Sequence, residues 1–160
     1  MRALAVIALG AASLPALAAD FPAKPLRIIV GFPPGGATDL VARLIAPKLS
    51  ESFKQQVIVD NRPGANGALA SELTAKAAPD GYTVHLGTLA ALVITPAITK
   101  VSYDPFKDFS PIGRTVALQN IFIAHPTLPV KNIAELIALA KARPGKLNFA
   151  SSGTGSTGHL

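Results

Sequence analysis

Three short runs rich in β-branched residues alternate with stretches of helical spacing, and every connection between them is short. The runs are residues 26–32 (LRIIVGF), 56–60 (QVIVD) and 82–87 (YTVHLG). Pro25 and Pro33 bracket the first, which reads as a buried strand. Between the first two runs, Leu40, Val41, Leu44, Ile45, Leu49 and Phe53 repeat at helical spacing. Thr38 is the expected N-cap of that helix, and Asp39 falls in its first turn, where the helix dipole favours negative charge. Pro47 lies inside the pattern and removes a backbone donor, which predicts a kink or an early end. Residues 68–78 predict a second helix, closed by the turn Pro79-Asp80-Gly81.

Strand, helix, strand, helix, strand in that order predicts a parallel sheet covered on both faces, because such crossovers are right-handed. This is the opening half of an open α/β domain. Ligands bind such sheets beyond the carboxyl ends of the strands. Those ends carry residues 33–38, 61–66 and 88–91.

The remainder is less regular. Residues 88–109 suggest a short helix and then a crossing into other structure. Residues 110–116 and 119–124 have strand character. Asn132 is the expected N-cap of a helix running to Arg143, with Ile133, Leu136, Ile137 and Ala140 on one face and Pro144-Gly145 at its end. Residues 147–150 predict another strand, followed by a Gly/Ser/Thr loop that opens a helix.

Residues 1–19 stand apart from the fold. Arg2 precedes an apolar stretch, and Ala16-Leu17-Ala18 supplies the small-x-small pattern of a signal-peptide cleavage site, so cleavage is expected after Ala18 or Ala19. The apolar stretch is shorter than the ~20 residues a spanning helix needs. The chain is therefore expected to be exported to the periplasm.

The formal charge of +6 comes from Lys and Arg scattered singly along the chain. Nucleic-acid binding calls for clustered basic residues, and aromatic stacking platforms are scarce, so no nucleic-acid partner is expected. The chain contains no Cys, which excludes disulfides, a thiolate nucleophile and Cys-ligated zinc. His85, His125 and His159 are dispersed without metal-ligand spacing, so neither a metal nor a cofactor is expected.

Two loops carry the chemistry. Gly35-Gly36 lets backbone amides approach a ligand at the mouth of a helix. Ser151, Ser152, Gly153, Thr154, Gly155 and Ser156 place hydroxyls and flexible backbone at a second one. Free amides and a helix dipole suit an anion. Each charge-assisted hydrogen bond is worth about 1.5–3 kcal/mol, so a few would hold a carboxylate without any Arg. Both loops also have the composition of plain tight turns, and that reading stays open on sequence alone. Residues 153–158 fit G-x-G-x-x-G, which makes a dinucleotide-dependent enzyme the alternative; its confirming acidic residue would lie beyond residue 160. No P-loop and no G-x-S-x-G elbow occurs. Asp39 is read as a helix-start residue, Arg62 as an anchor for its own loop, and His85 as structural.

The run Ile29-Val30-Gly31-Phe32-Pro33-Pro34-Gly35-Gly36-Ala37-Thr38-Asp39 resembles the first-strand signature of the Bug-type receptors of tripartite tricarboxylate transporters. So do Asn61-Arg62-Pro63-Gly64-Ala65, residues 77–83 (AAPDGYT), Tyr103-Asp104-Pro105 with Lys107-Asp108-Phe109, Ala140-Lys141-Ala142 with Pro144-Gly145-Lys146-Leu147, and Ser151-Ser152-Gly153 with Gly155-Ser156 and His159-Leu160. These matches occur in order across the whole chain after the signal segment. The resemblance implies a two-lobed periplasmic-binding-protein-like α/β fold, with residues 20–103 in the first lobe and 104–160 beginning a second, truncated one. It implies a monomeric receptor, not an enzyme, that binds a small di- or tricarboxylate or acidic amino acid and hands it to membrane permease subunits. By matching position, its ligand-binding candidates are Pro34, Gly35, Gly36, Thr38, Thr88, Ser151, Ser152, Gly153, Thr154, Gly155, Ser156 and His159. A sensor that presents its ligand to a signalling partner would use the same fold.

Overall fold

The computed structural model describes residues 21–151 and 153–159. The expected signal segment (1–19) and Ser152 lie outside the described residues. The elements are β1 (Leu26–Val30), α1 (Ala37–Phe53), β2 (Val57–Asn61), a 3-10 turn (Ala65–Gly67), α2 (Ala68–Ala75), β3 (Thr83–Leu86), a π-helical turn (Ala90–Ile94), α3 (Thr95–Ile98) and α4 (Ile133–Ala142).

The three strands form a parallel sheet in the order β2-β1-β3, with Ile29 opposite both Asp60 and His85. The chain steps outward from β1 to β2 and then back across β1 to β3. Two right-handed crossovers of opposite direction put α1 and α2 on opposite faces of the sheet. The alternation of side chains along β1 follows from this. Leu26, Ile28 and Val30 join Ala42, Ala46 and Val57 in one buried cluster under α1. Ile29 points the other way and is fully buried on the face where Ala70 and Ser71 of α2 are buried. Burying each such aliphatic side chain contributes about 1.5–3 kcal/mol, so the central strand organises this half of the chain.

Two expectations for the first helix are corrected. The residues it buries are Asp39, Ala42 and Ala46, whereas Leu40 and Leu44 are exposed. Small residues let the helix backbone sit close to the sheet, and the leucines are carried to the outer side. The helix also continues through Pro47 to Phe53. Pro47 is on the exposed side, where water can satisfy the Arg43 carbonyl that it leaves without a donor. Ser50 ties this helix to the sheet: its hydroxyl donates to the Ala46 carbonyl (2.9 Å) and accepts from the Val57 N–H (2.9 Å).

Beyond residue 104 the expected strands at 110–116, 119–124 and 147–150 are absent; these residues are irregular and almost all exposed. A strand exists only with a neighbour to take its hydrogen bonds, and the described residues supply none. The helix expected after Asn132 does form. Asn132 Oδ1 accepts from the Glu135 N–H (3.0 Å), while the Glu135 carboxylate accepts in return from Asn132 Nδ2 (2.8 Å) and also from the Lys131 N–H (2.7 Å), a reciprocal cap.

Candidate functional site

The carboxyl ends of the three strands converge on one edge. Past β1, Gly31 packs so tightly on the 61–67 loop that a Cβ there would lie 2.6 Å from Gly67 Cα. The chain then turns through Pro33–Gly36, with Gly35 at φ +85°. Asp39 reaches back to fix this turn. Its Oδ2 accepts from the Gly35 N–H (2.8 Å) and from Arg43 Nε (2.9 Å), and its Oδ1 accepts from Asn61 Nδ2 (2.9 Å). Asn61 Nδ2 also donates to the Phe32 carbonyl (3.0 Å), which joins the ends of β1 and β2. The hydrogen bond from Arg43, then those from Gly35 and Asn61, hold the Asp39 carboxyl at a pKa of about 2 against the opposing cost of burial. Asp39 is thus the helix-start residue expected from sequence.

The cap itself lies two residues earlier than expected. Gly36, not Thr38, is the N-cap of α1, and no side chain caps it. Because Asp39 clamps the Gly35 amide, the helix begins directly after the turn, and Thr38 sits half-buried inside the first turn. Pro34, Gly35 and Gly36 are exposed. The Gly35 amide is taken by Asp39 and the Gly36 amide faces the Pro33 carbonyl (3.4 Å). The groups left for an anion are therefore the first-turn amides of Ala37, Thr38 and Asp39, which have no intrahelical acceptor.

Thr88 closes β3 and starts the next turn: its Oγ1 accepts from the Ala91 N–H (3.2 Å) and its carbonyl from the Leu92 N–H (3.0 Å). The Gly/Ser/Thr loop forms successive turns rather than the expected helix start, with Gly153 at φ +118° and Gly155 at φ +83°. It docks against the 61–67 loop, where Asn66 Nδ2 donates to the Thr154 carbonyl. Gly155 and Ser156 are buried, whereas Ser151, Gly153, Thr154 and His159 are exposed. The His159 ring is 6.3 Å from that of Phe149. The 61–67 loop therefore touches the first helix mouth through Asn61, the end of β1 through Gly67, and the Gly/Ser/Thr turn through Asn66. The strand–loop–helix setting that a dinucleotide fingerprint requires is not formed among the described residues.

Sequence reasoning passed over Asn66 and Thr95. Thr95 Oγ1 and Ser156 Oγ are both buried without a hydrogen-bond partner among the described residues. Asn66 signalled itself only as an Asn between Ala and Gly, a residue type that tolerates the left-handed region; Thr95 carried no signal beyond its position before Pro96. Arg62 anchors its own loop as expected, pairing with Asp60 (2.9 Å) while its amide donates to the Val30 carbonyl (2.7 Å). His85 Nε2 lies 3.0 Å from Ser71 Oγ, and Nδ1 lies 3.2 Å from the Ile29 carbonyl. The carbonyl can only accept, so Nδ1 carries the proton and Nε2 can accept from the serine hydroxyl. Ser71 has no exposed surface and His85 is half-buried, so the serine hydroxyl is closed off from solvent. Two surface concavities, of about 310 and 340 Å³, lie one between α1 and β2 and the other between α2 and residues 95–103, the second bordered by Ala65 and Thr95.

Comparison with known proteins settles the family. The profile described as "Tripartite tricarboxylate transporter family receptor" matches residues 41–160. The chain belongs to that family. Among its curated relatives, the UPF0065 protein in the gbd 5' region of Cupriavidus necator is 40% identical, over 99% of this chain and 49% of its own length. Protein BugT of Bordetella pertussis is 38% identical, over 99% of this chain and 51% of its own. The chain thus spans about half the length of the curated relatives it matches. Among solved structures, MatC (Rpa3494) from Rhodopseudomonas palustris with bound malate superposes with a TM-score of 0.75 at 34% identity, covering 86% of this chain and 47% of that one. R. palustris Rpa4515 with adipate gives 0.72 at 38% identity, covering 88% and 47%. The fold of this family member is accordingly the periplasmic-binding-protein-like α/β fold expected from sequence.

Proposed function

We propose that this chain is the N-terminal portion of a periplasmic receptor that binds a small organic dicarboxylate and delivers it to the membrane subunits of a tripartite transporter. The observation that carries the proposal is the uncapped start of α1 at the carboxyl edge of the sheet, the same edge on which the Gly153–Ser156 turn docks. The first-turn amides of Ala37 and Thr38, with the helix dipole behind them, receive one carboxylate. The Thr38 and Thr88 hydroxyls and those of the Ser151–Ser156 loop supply further donors. Malate and adipate, held by two neighbours of this fold, support a small dicarboxylate as the ligand, and Pro34, Gly35 and Gly36 shape the approach. His159 flanks the second loop. Residues 20–103 and 104–160 are assigned to the two lobes, export follows from the signal segment at 1–19, and the receptor works as a monomer. Membership of a receptor family argues against the dinucleotide-dependent enzyme.

Ala37→Pro tests this directly. Proline at the first helical position removes one amide hydrogen at little cost to the helix, and Gly36 already has the extended backbone (ψ 166°) that a following proline demands. Loss of one hydrogen bond to a charged group predicts roughly a 10-fold or greater loss of malate or adipate affinity by titration calorimetry, with the melting temperature unchanged. Absence of any heat from the wild-type chain with malate, adipate, citrate and aspartate would refute the reading.

A further inference from the structure

We propose that Asn66 is a positioning residue that latches the Gly153–Ser156 turn onto the carboxyl edge of the sheet. Ala65 and Asn66 both hold positive φ (46° and 52°), between Gly64 at 146° and Gly67 at 90°. Non-glycine residues in that region are strained, and consecutive ones persist only where their surroundings fix them. Here the strained backbone aims one side chain. Asn66 Nδ2 donates to the Thr154 carbonyl, a contact between residues 88 positions apart in sequence.

The receiving turn is shaped to match. A Cβ on Gly155 would lie 3.3 Å from Asn66 Nδ2 and 3.0 Å from Ile98 Cδ1, and one on Gly153 would lie 3.7 Å from Asn66 Oδ1. Gly155 also has φ +83°, so only glycine lets the turn settle this closely over Asn66 and α3. Seating the turn has a cost, because Thr95 Oγ1 and Ser156 Oγ are buried there without a protein partner among the described residues. Nothing in the turn's own apolar content offsets that cost. The carboxamide of Asn66 supplies a specific hold, and it couples the 61–67 loop, already tied to the α1 mouth through Asn61, to the second loop. The consequence for ligand affinity rests on the carboxylate reading above; the latch itself does not.

Asn66→Gly in the full chain separates the two. Glycine relieves the strained φ while removing the carboxamide, so the melting temperature is expected to stay level or rise. Amide hydrogen exchange at Ser156 and His159, whose N–H groups donate within the turn, is expected to quicken about 5–10-fold, the equivalent of one net hydrogen bond. Malate affinity is expected to weaken by a similar factor. Asn66→Asp, which tolerates the same backbone but has no donor, should loosen the turn equally. Unchanged exchange in either variant overturns the latch. Faster exchange in both variants supports it even if the wild-type chain binds no malate, an outcome in which the carboxylate reading alone falls.

Discussion

In the first half of the chain Leu26–Val30 finds a parallel strand on each side and a helix over each face, and Ile29 and Val30 keep no exposed surface. In the second half Ile121, Phe122 and Ile123 are no less apolar, yet they are 80–87% exposed and belong to no strand. Both segments have the composition of a buried strand. What separates them is partnership: β1 sits between two strands that form from sequence close by, joined through connections that α1 and α2 make themselves. The 110–124 segment has no such neighbour among the described residues, so neither its backbone hydrogen bonds nor its side chains are engaged. Apolar pattern specifies which residues can be buried; pairing decides whether they are.

The sharpest break of this contrast is a matched pair of truncations. Ile29→Ala is expected to cost about 2–5 kcal/mol, through lost transfer energy and the cavity left at the centre of the sheet. Phe122→Ala removes a larger side chain from an exposed position and should shift stability by no more than about 0.5 kcal/mol. Urea denaturation measures both. A Phe122→Ala cost as large as that of Ile29→Ala would mean that the second segment is buried in solution, and the contrast would dissolve.

Much of the first region was legible because its signals are local. The β-branched runs, the Pro79-Asp80-Gly81 turn and the acidic residue at the start of α1 each act within a few residues of themselves. The same holds for Asn132, whose cap forms in the second region without tertiary support. What could not be read depends on distant partners. Leu40 and Leu44 repeat at helical spacing and still face outward, because Ala42 and Ala46 allow the closest approach to the sheet. The segments at 110–116 and 119–124 carry strand composition without strand neighbours. At the candidate site, Gly35 and Gly36 were recognisable as a helix mouth, but that Asp39 would occupy the Gly35 amide follows from its backward reach, which spacing does not reveal. Asn66 matters through a carbonyl 88 positions away, and no local pattern announces that.

Titration sharpens the same comparison, since Asp39 in the first region is held by Arg43 and Gly35 at its own helix start and by Asn61 at the end of β2. Asp39 has a folded pKa of about 2 against an ordinary value of 3.8. Below the ordinary value the unfolded chain binds the extra proton, so the stability this carboxylate contributes is present above about 3.8 and is lost as pH falls through about 2. Asp39→Asn should flatten that acid limb in a pH series of thermal melts. It should also loosen the Gly35 turn, because the Gly35 N–H then loses its charged acceptor.

His85 gives a smaller effect at milder pH. Burial beneath α2 pushes its imidazole below the usual 6.5, with the hydrogen bond to the Ile29 carbonyl opposing. As pH falls below about 6.5 the unfolded chain protonates first, so stability declines in that range and is fully present above it. His85→Gln lowers stability throughout but is expected to abolish this slope. An unchanged slope would place the titrating group elsewhere than His85.

The smallest effect belongs to the second region and tests whether α4 stands on its own. No residue of α4 is buried, so its stability comes from its reciprocal cap and from helix propensity in the run IAELIALAKA. Asn132→Ala removes the side chain that accepts from the Glu135 N–H and is expected to destabilise the helix by about 1 kcal/mol. Because no residue of α4 is buried, that loss should stay local. Exchange at the first-turn amides of α4 is expected to quicken about fivefold, the equivalent of that ~1 kcal/mol, while amides of β1 and the global melting temperature do not move. If Asn132→Ala instead lowers the global melting temperature, α4 shares a cooperative unit with the sheet, and the division between a self-partnered first region and an unpartnered second one is too sharp.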